Sequence, residues 1–158
     1  MAVVALIGYG ELGAVLGDAL ADVHEVRAWS RSRDGSLEEA MDGAELVISA
    51  VPGSASEEVA DQVLALIRPG ACFTDLTAAA PEAKERAAER FELYADGAVL
   101  GTVATSGAAV PIAVAGNGAG RFREVAARAG MQVEVLHGAR AGTPARLKLV
   151  RSVYMKGR

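Results

Sequence analysis

Apolar runs and helical stripes alternate along this chain. The first run, Val3-Val4-Ala5-Leu6-Ile7, is continuously apolar, the mark of a strand buried on both faces. Beyond it Leu12, Val15, Leu16, Ala19 and Leu20 follow the i, i+3, i+4, i+7 rhythm of a helix with one buried face. The same reading predicts strands over residues 24–29 and 44–51, with a short helix over 37–41 between them. Pro52-Gly53 stops the third strand. Ser54 is placed to cap the following helix, with Glu57 three residues on in the capping-box position. Val59, Val63, Leu64, Leu66 and Ile67 give that helix its apolar face, and Pro69-Gly70 ends it. A fourth strand over 71–76 leads to a charged helix from Pro81, where Glu82 and Arg86 stand at i, i+4. Strands over 93–100, 110–115 and 131–136, a helix over 119–129 and a long helix from Ala141 to Lys156 complete the pattern. Such alternation predicts an α/β fold with a doubly wound, mostly parallel sheet.

The turn after the first strand carries the most specific chemistry. Gly8-Tyr9-Gly10-Glu11-Leu12-Gly13 is GxGxxG, between a buried strand and a helix, as a dinucleotide-binding turn requires. Gly8 permits the tight turn, Gly10 admits a pyrophosphate to the backbone, and Gly13 lets helix and strand pack closely. Phosphates belong at the helix N-terminus, where free N–H groups and the macrodipole favour negative charge. Glu11 is unusual in that place, and its carboxylate is expected to point away from the phosphates. These features make the expected fold Rossmann-type.

The second strand ends in Ser30-Arg31-Ser32-Arg33, where an NAD site usually has an acid for the ribose hydroxyls. A hydroxyl and a planar guanidinium suit a 2′-phosphate, so Ser30, Arg31 and Arg33 predict NADP; the alternative is a solvated basic loop. Ligands of open α/β sheets bind beyond the carboxyl ends of the strands, which places Val51, Pro52 and Thr77 in the same crevice. Thr77 either touches the ribose or caps the next helix.

A length of 158 residues suits one domain, and a net charge of −4 argues against a nucleic-acid or membrane-surface partner. The expected partner is a small molecule. No signal-peptide pattern and no apolar run of spanning length occur, so a cytoplasmic location is expected. Cys72 is the one cysteine and reads as a buried apolar residue. His24 and His137 lack the spacing of a triad or a metal site, and no metal is expected.

On the final helix a 3.6-residue wheel gathers Ala141, Pro144, Ala145, Lys148, Ser152 and Met155 on one face, with Leu147, Val150 and Tyr154 elsewhere. Small residues around one lysine leave room for a ligand, and a partly desolvated ammonium there can act as acid or base. The plainer reading is a snorkelling surface lysine.

Taken together, the glycine turn, Trp29-Ser30-Arg31, Val51-Pro52, Asp75-Leu76-Thr77 with Pro81, Asp96-Gly97-Ala98-Val99-Leu100-Gly101 and Leu147-Lys148 resemble the β-hydroxyacid dehydrogenase superfamily. That superfamily includes hydroxyisobutyrate and phosphogluconate dehydrogenases and the imine reductases. The run around Lys148 is similar to a phosphogluconate-dehydrogenase-like branch.

The resemblance implies a catalytic Lys148 and substrate contacts from Val99, Leu100, Gly101 and Ser152. Leu100 stands where the family has a serine, and Ser152 where it usually has an asparagine. Family members continue into an all-helical domain that forms the second wall of the active site and much of the dimer. Residues 1–139 are thus expected to be an NADP-binding domain, and 140–158 the start of a helix leading to that further domain.

The resulting expectation is an NADP-dependent oxidoreductase domain, moving hydride to or from a small hydroxy acid, carbonyl or imine, with homodimer contacts through the last helix. A non-catalytic NADP-binding module, or a fragment inactive by itself, is the alternative.

Overall fold

A computed structural model describes residues 1–156, with side chains as far as Ser152. The side chains of Tyr154 and Met155, named in the helical wheel above, lie outside the described residues. The strands are β1 (Val3–Ile7), β2 (Glu25–Trp29), β3 (Leu46–Ser49), β4 (Cys72–Asp75), β5 (Leu93–Val99), β6 (Ile112–Ala115) and β7 (Val133–Val135). The helices are α1 (Glu11–Ala21), α2 (Leu37–Met41), α3 (Ser56–Leu66), α4 (Pro81–Arg90), α5 (Val103–Ser106), α6 (Ala119–Arg128) and α7 (Thr143–Lys156).

One seven-stranded sheet has the order β2-β1-β3-β4-β5-β6-β7. Every pairing is parallel except β5 with β6. The chain leaves β1 toward β2 on one side and later returns to place β3 on the other. Strand order therefore reverses between β1 and β3, and their carboxyl ends flank the crevice where such sheets bind ligands.

Alternate residues of the apolar strands feed two cores. Val4, Leu6, Leu46, Ile48 and Cys72 pack with Leu16 and Leu20 of α1 and Phe122 and Val125 of α6. Ala5, Ile7, Val47, Phe73 and Tyr94 pack with α2, α3 and α4 on the opposite face. Burying both faces explains why these strands lack a polar alternation. His24 is buried in a structural role: Nδ1 accepts from Ala2 N at 3.1 Å, and Nε2 bonds the Val125 carbonyl at 2.9 Å.

Local expectations fail where a competing partner was out of sequence view. Ser54 does not cap α3, because Gly53–Ala55 form a 3-10 turn and the cap is Ala55, with no side-chain bond. Glu82 and Arg86 do not pair; Arg86 bonds Glu57 of α3, and Arg146 of α7 comes within 4.0 Å of Glu82. The short α5 lacked a sufficiently long periodic run to be predicted, and its Thr102 side chain caps it by accepting from Thr105 N. The last helix begins at Thr143 rather than Ala141. Among the described residues no helix is long and apolar enough to cross a membrane.

Candidate functional site

The glycine turn behaves as three different constraints. Gly8 has φ +95°, and an added Cβ would sit 2.8 Å from the Ala50 backbone, so β1 leaves the sheet tightly against the end of β3. A Cβ on Gly13 would lie 2.2 Å from the Gly8 carbonyl oxygen. At Gly10 the same atom meets nothing within 4 Å. Gly10 is also the N-cap of α1, with φ −78° and no side-chain cap. The first N–H groups of α1 are thus left to an external acceptor.

That open side of Gly10 belongs to a cleft of about 710 Å³ between the ends of β1 and β3. Gly8, Tyr9, Gly10, Glu11 and Leu12 form its floor, and Val51 and Pro52 one wall. Ser30 and Arg31 close the far end, with Trp29 and Ser32. Its size falls in the range of small-molecule and cofactor sites. The fit to a dinucleotide rests on free helix N–H groups, space at Gly10, and a cation at the ribose end. Glu11 is exposed in the first turn of α1.

Gly13 acts by close packing of helix on strand, as expected, and does not line the cleft. Two other expected site residues stand differently. Arg33 lies outside the lining, its guanidinium 4.2 Å above the Tyr9 ring, where a cation–π contact holds it. Thr77 neither lines this cleft nor caps α4. Its N–H donates to Asp75 Oδ1 at 2.8 Å, its Oγ1 accepts from Ala79 N, and Ala80 is the cap. Residues not anticipated are Val59 and Gln62, which α3 contributes to the lining. Glu58 on the same helix accepts from Arg31 at 2.8 Å, with both side chains largely exposed. Position alone could have drawn attention to α3, which follows the strand beside β1.

Lys148 lies at a second, shallow cleft of about 240 Å³, with Val99, Leu100, Gly101, Thr102, Arg151 and Ser152. The residues expected around the lysine are therefore brought together. Burial, reinforced by the positive charge of Lys84, holds the Lys148 ammonium below its ordinary pKa. Pro144 and Ala145 of its helix face are buried, as is Ala141 just ahead of the helix, and Ser152 is exposed. Both clefts open at the carboxyl edge of the parallel strands. From β1 to β5 is three strand spacings, roughly 14 Å.

Beneath this edge lies a buried charged cluster that sequence reasoning missed. Ser49, Asp75 and Asp96 stand on one rung of the sheet. Lys84 reaches over from α4, its Nζ 2.9 Å from Asp96 Oδ1 and 3.4 Å from Asp75 Oδ1, and it also donates to the Asp75 carbonyl. All three charged side chains are at most 5% exposed. A lysine in Glu82-Ala83-Lys84-Glu85-Arg86 looks like part of a solvated face; the clue was a pair of strand aspartates needing a counter-charge. The Cys72 thiol, pushed up to about 11 by burial, stays protonated and is no nucleophile at neutral pH. Among the described residues no cluster of His, Cys, Asp and Glu could hold a metal ion.

No family model matches the chain. A curated relative, glycerol-3-phosphate dehydrogenase [NAD(P)+] of Gloeobacter violaceus, is 45% identical over 64 residues, 40% of this chain and 21% of that protein. Among solved structures, a conserved protein described as structurally similar to 3-hydroxyacid dehydrogenases matches with TM-score 0.84 and 26% identity, over 98% of this chain and 64% of its own. The 3-hydroxyisobutyrate dehydrogenase of Mycobacterium tuberculosis matches with TM-score 0.85 and 23% identity, over 98% of this chain and 60% of that one. A reductive aminase of Aspergillus terreus, solved with NADPH and ethyl levulinate, gives 0.80 and 20%, over 99% and 62%. The chain thus spans about three fifths of the length of these solved structures. By fold, the chain is a Rossmann-type α/β domain, similar to one found in 3-hydroxyacid dehydrogenases and imine reductases.

Proposed function

We propose that this domain binds NADP and serves an oxidoreductase that moves hydride to or from the carbon of a small hydroxy acid, carbonyl or imine. The observation that carries the reading is the sharing of one sheet edge by the glycine-turn cleft and the Lys148 cleft. The bound nicotinamide supplies the hydride chemistry. Gly10, Glu11 and Leu12 would hold the pyrophosphate through backbone N–H groups, and Val51 and Pro52 would flank the route toward Lys148. Lys148 would donate a proton to the substrate oxygen or nitrogen in reduction and accept one in oxidation. Its lowered pKa brings the ammonium nearer neutrality, where a proton-transfer group works best. Val99, Leu100, Gly101 and Ser152 would contact the substrate.

The cofactor choice is testable by binding alone. An exposed pair such as Arg31 with Glu58 is worth at most about 1 kcal/mol, less than the 1.5–3 kcal/mol of a bond to a charged phosphate. A 2′-phosphate can therefore take Arg31 from Glu58. In fluorescence titrations Arg31→Ala should weaken NADPH about 10- to 100-fold and leave NADH within about twofold. Glu58→Gln should tighten NADPH up to about fivefold. NADH binding as tightly as NADPH to the unaltered chain would refute the NADP assignment.

A second reading, a binding module without turnover, is favoured by the shallowness of the Lys148 cleft. At about 240 Å³ it falls below the roughly 300 Å³ at which pockets begin to enclose a small ligand. Without enclosure, substrate is neither held in line nor shielded from water. Oxidation of any of a panel of hydroxy acids by the purified chain with NADP would rule this out. Leu147, Leu149 and Val150 are exposed on α7, which supports pairing of that helix with a second copy. Leu149→Glu with Val150→Glu should then yield monomer in sedimentation velocity where the unaltered chain is dimer.

A further inference from the structure

Asp96 joins three elements beside Lys148. It sits in the middle of β5 with no exposed surface, and its two oxygens serve different partners. Oδ1 accepts from Lys84 Nζ at 2.9 Å, while Oδ2 accepts from the backbone N–H of Gly142 at 2.7 Å. Gly142 directly precedes α7, and Lys148 stands six residues further on, roughly 9 Å along the axis.

Among the described residues the other polar ties of α7 to the sheet domain are exposed. Arg146 pairs with Glu85 at 2.6 Å, and Arg151 donates to the Leu100 carbonyl at 3.3 Å. Exposed pairs hold weakly and are screened by salt, whereas a buried bond to a carboxylate is short, strong and unscreened. Asp96 is thus the firm anchor at the N-terminal end of the helix, and Lys84 fixes which way its carboxylate faces.

We propose that Asp96, oriented by Lys84, is the positioning residue for Lys148: it pins the start of α7 to the sheet and so holds the ammonium in its half-buried place against residues 99–102. This deepens the reading of Lys148 as the proton-transfer group and rests on it for its catalytic meaning, but the placement is measurable without turnover. Of the elements packed on α7, α4 carries Glu82, Lys84, Glu85, Arg86, Glu89 and Arg90 and β5 carries Asp96; Asp75 of β4 acts through Lys84, Arg86 and Arg90 pair with α3, and Arg146 and Arg151 lie on α7 itself. Their signs make the outcomes separable. If Asp96 were only a nearby negative charge, removing it would leave Lys84 less compensated and push Lys148 further down. If Asp96 positions the helix, removing it lets α7 loosen and water return to Lys148, and the titration midpoint rises.

The chain has three lysines, Lys84, Lys148 and Lys156, so reductive ¹³C-methylation gives few signals, and Lys148→Arg identifies the one sought. In Asp96→Asn the amides of Gly142, Thr143 and Arg146 should exchange at least about tenfold faster while those of β1 and β3 keep their protection, and the Lys148 midpoint should rise. Exchange that quickens equally throughout, or a midpoint that falls or stays, overturns the proposal. Should that variant not fold, Lys84→Met with Asp96→Asn restores the net charge of the cluster. Fast exchange confined to those three amides then supports the proposal, and unchanged protection there overturns it. NADPH titration of the same samples reports separately on the cofactor reading, because an unaltered chain that binds none refutes that reading and leaves the exchange result standing.

Discussion

Gly10→Ala should cost about 100-fold or more in dinucleotide affinity and leave the fold almost untouched. The backbone at Gly10 has φ −78°, a value open to any residue, and a Cβ there meets no protein atom within 4 Å. Stability should change by less than about 1 kcal/mol, the scale of an N-cap replacement. The methyl group would instead occupy space that a pyrophosphate needs. Loss of two charge-assisted bonds, at about 1.5–3 kcal/mol each, accounts for a factor of that size.

Gly13→Ala should do the reverse. Its Cβ would fall 2.2 Å from the Gly8 carbonyl oxygen, a backbone atom that cannot step aside, so helix and strand must separate. Overpacking of this kind costs about 1–3 kcal/mol, which for a domain of this size lowers Tm by roughly 2–12 °C. Calorimetry and fluorescence titration on the two variants check both halves. Equal losses of stability in both would refute the division of labour within the turn.

The second large effect concerns Lys84. Lys84→Met removes the only cation bonded to two buried carboxylates among the described residues, leaving Asp75 and Asp96 facing each other on adjacent strands. Breaking a buried pair by removing one partner costs about 3–5 kcal/mol, because the remaining charge has lost both water and counter-ion. Urea unfolding should show that loss as a lower midpoint with an unchanged slope. Adding Asp96→Asn returns the cluster to its original net charge, and at least half of the stability should come back. A Lys84→Met variant as stable as the parent would show that the cluster carries little weight.

Much of the fold was legible in the chain because its strands are buried on both faces and its helices on one. Val3-Val4-Ala5-Leu6-Ile7 has no polar residue to place in water, and the residues from Leu12 to Leu20 show a single stripe, so neither had a second reading. The glycine turn was legible for a similar reason. Turn, strand end and helix start are contiguous in sequence, and so their geometry is local. Thr77 lies outside the glycine-turn cleft because its hydroxyl has a nearer partner in Ala79 N, and Arg33 is drawn over the ring of Tyr9, which lines that cleft. Ser54 lost its expected cap because the chain tightens into a 3-10 turn there before α3 begins.

The sequence by itself determined the alternation of strand and helix, the glycine turn between the first strand and helix, and the small-residue face around Lys148, all of which depend on residues within a few turns of one another. Only the tertiary structure decided the strand order and the antiparallel β6, the crossing of Arg31 to Glu58, and the burial of Lys84 between Asp75 and Asp96. The physical reason is range. Propensity and periodicity are set by neighbours along the chain, whereas the solvation of a charge is set by whatever folds over it. A lysine in a row of glutamates and arginines therefore read as surface until a sheet edge with two carboxylates was laid beneath it.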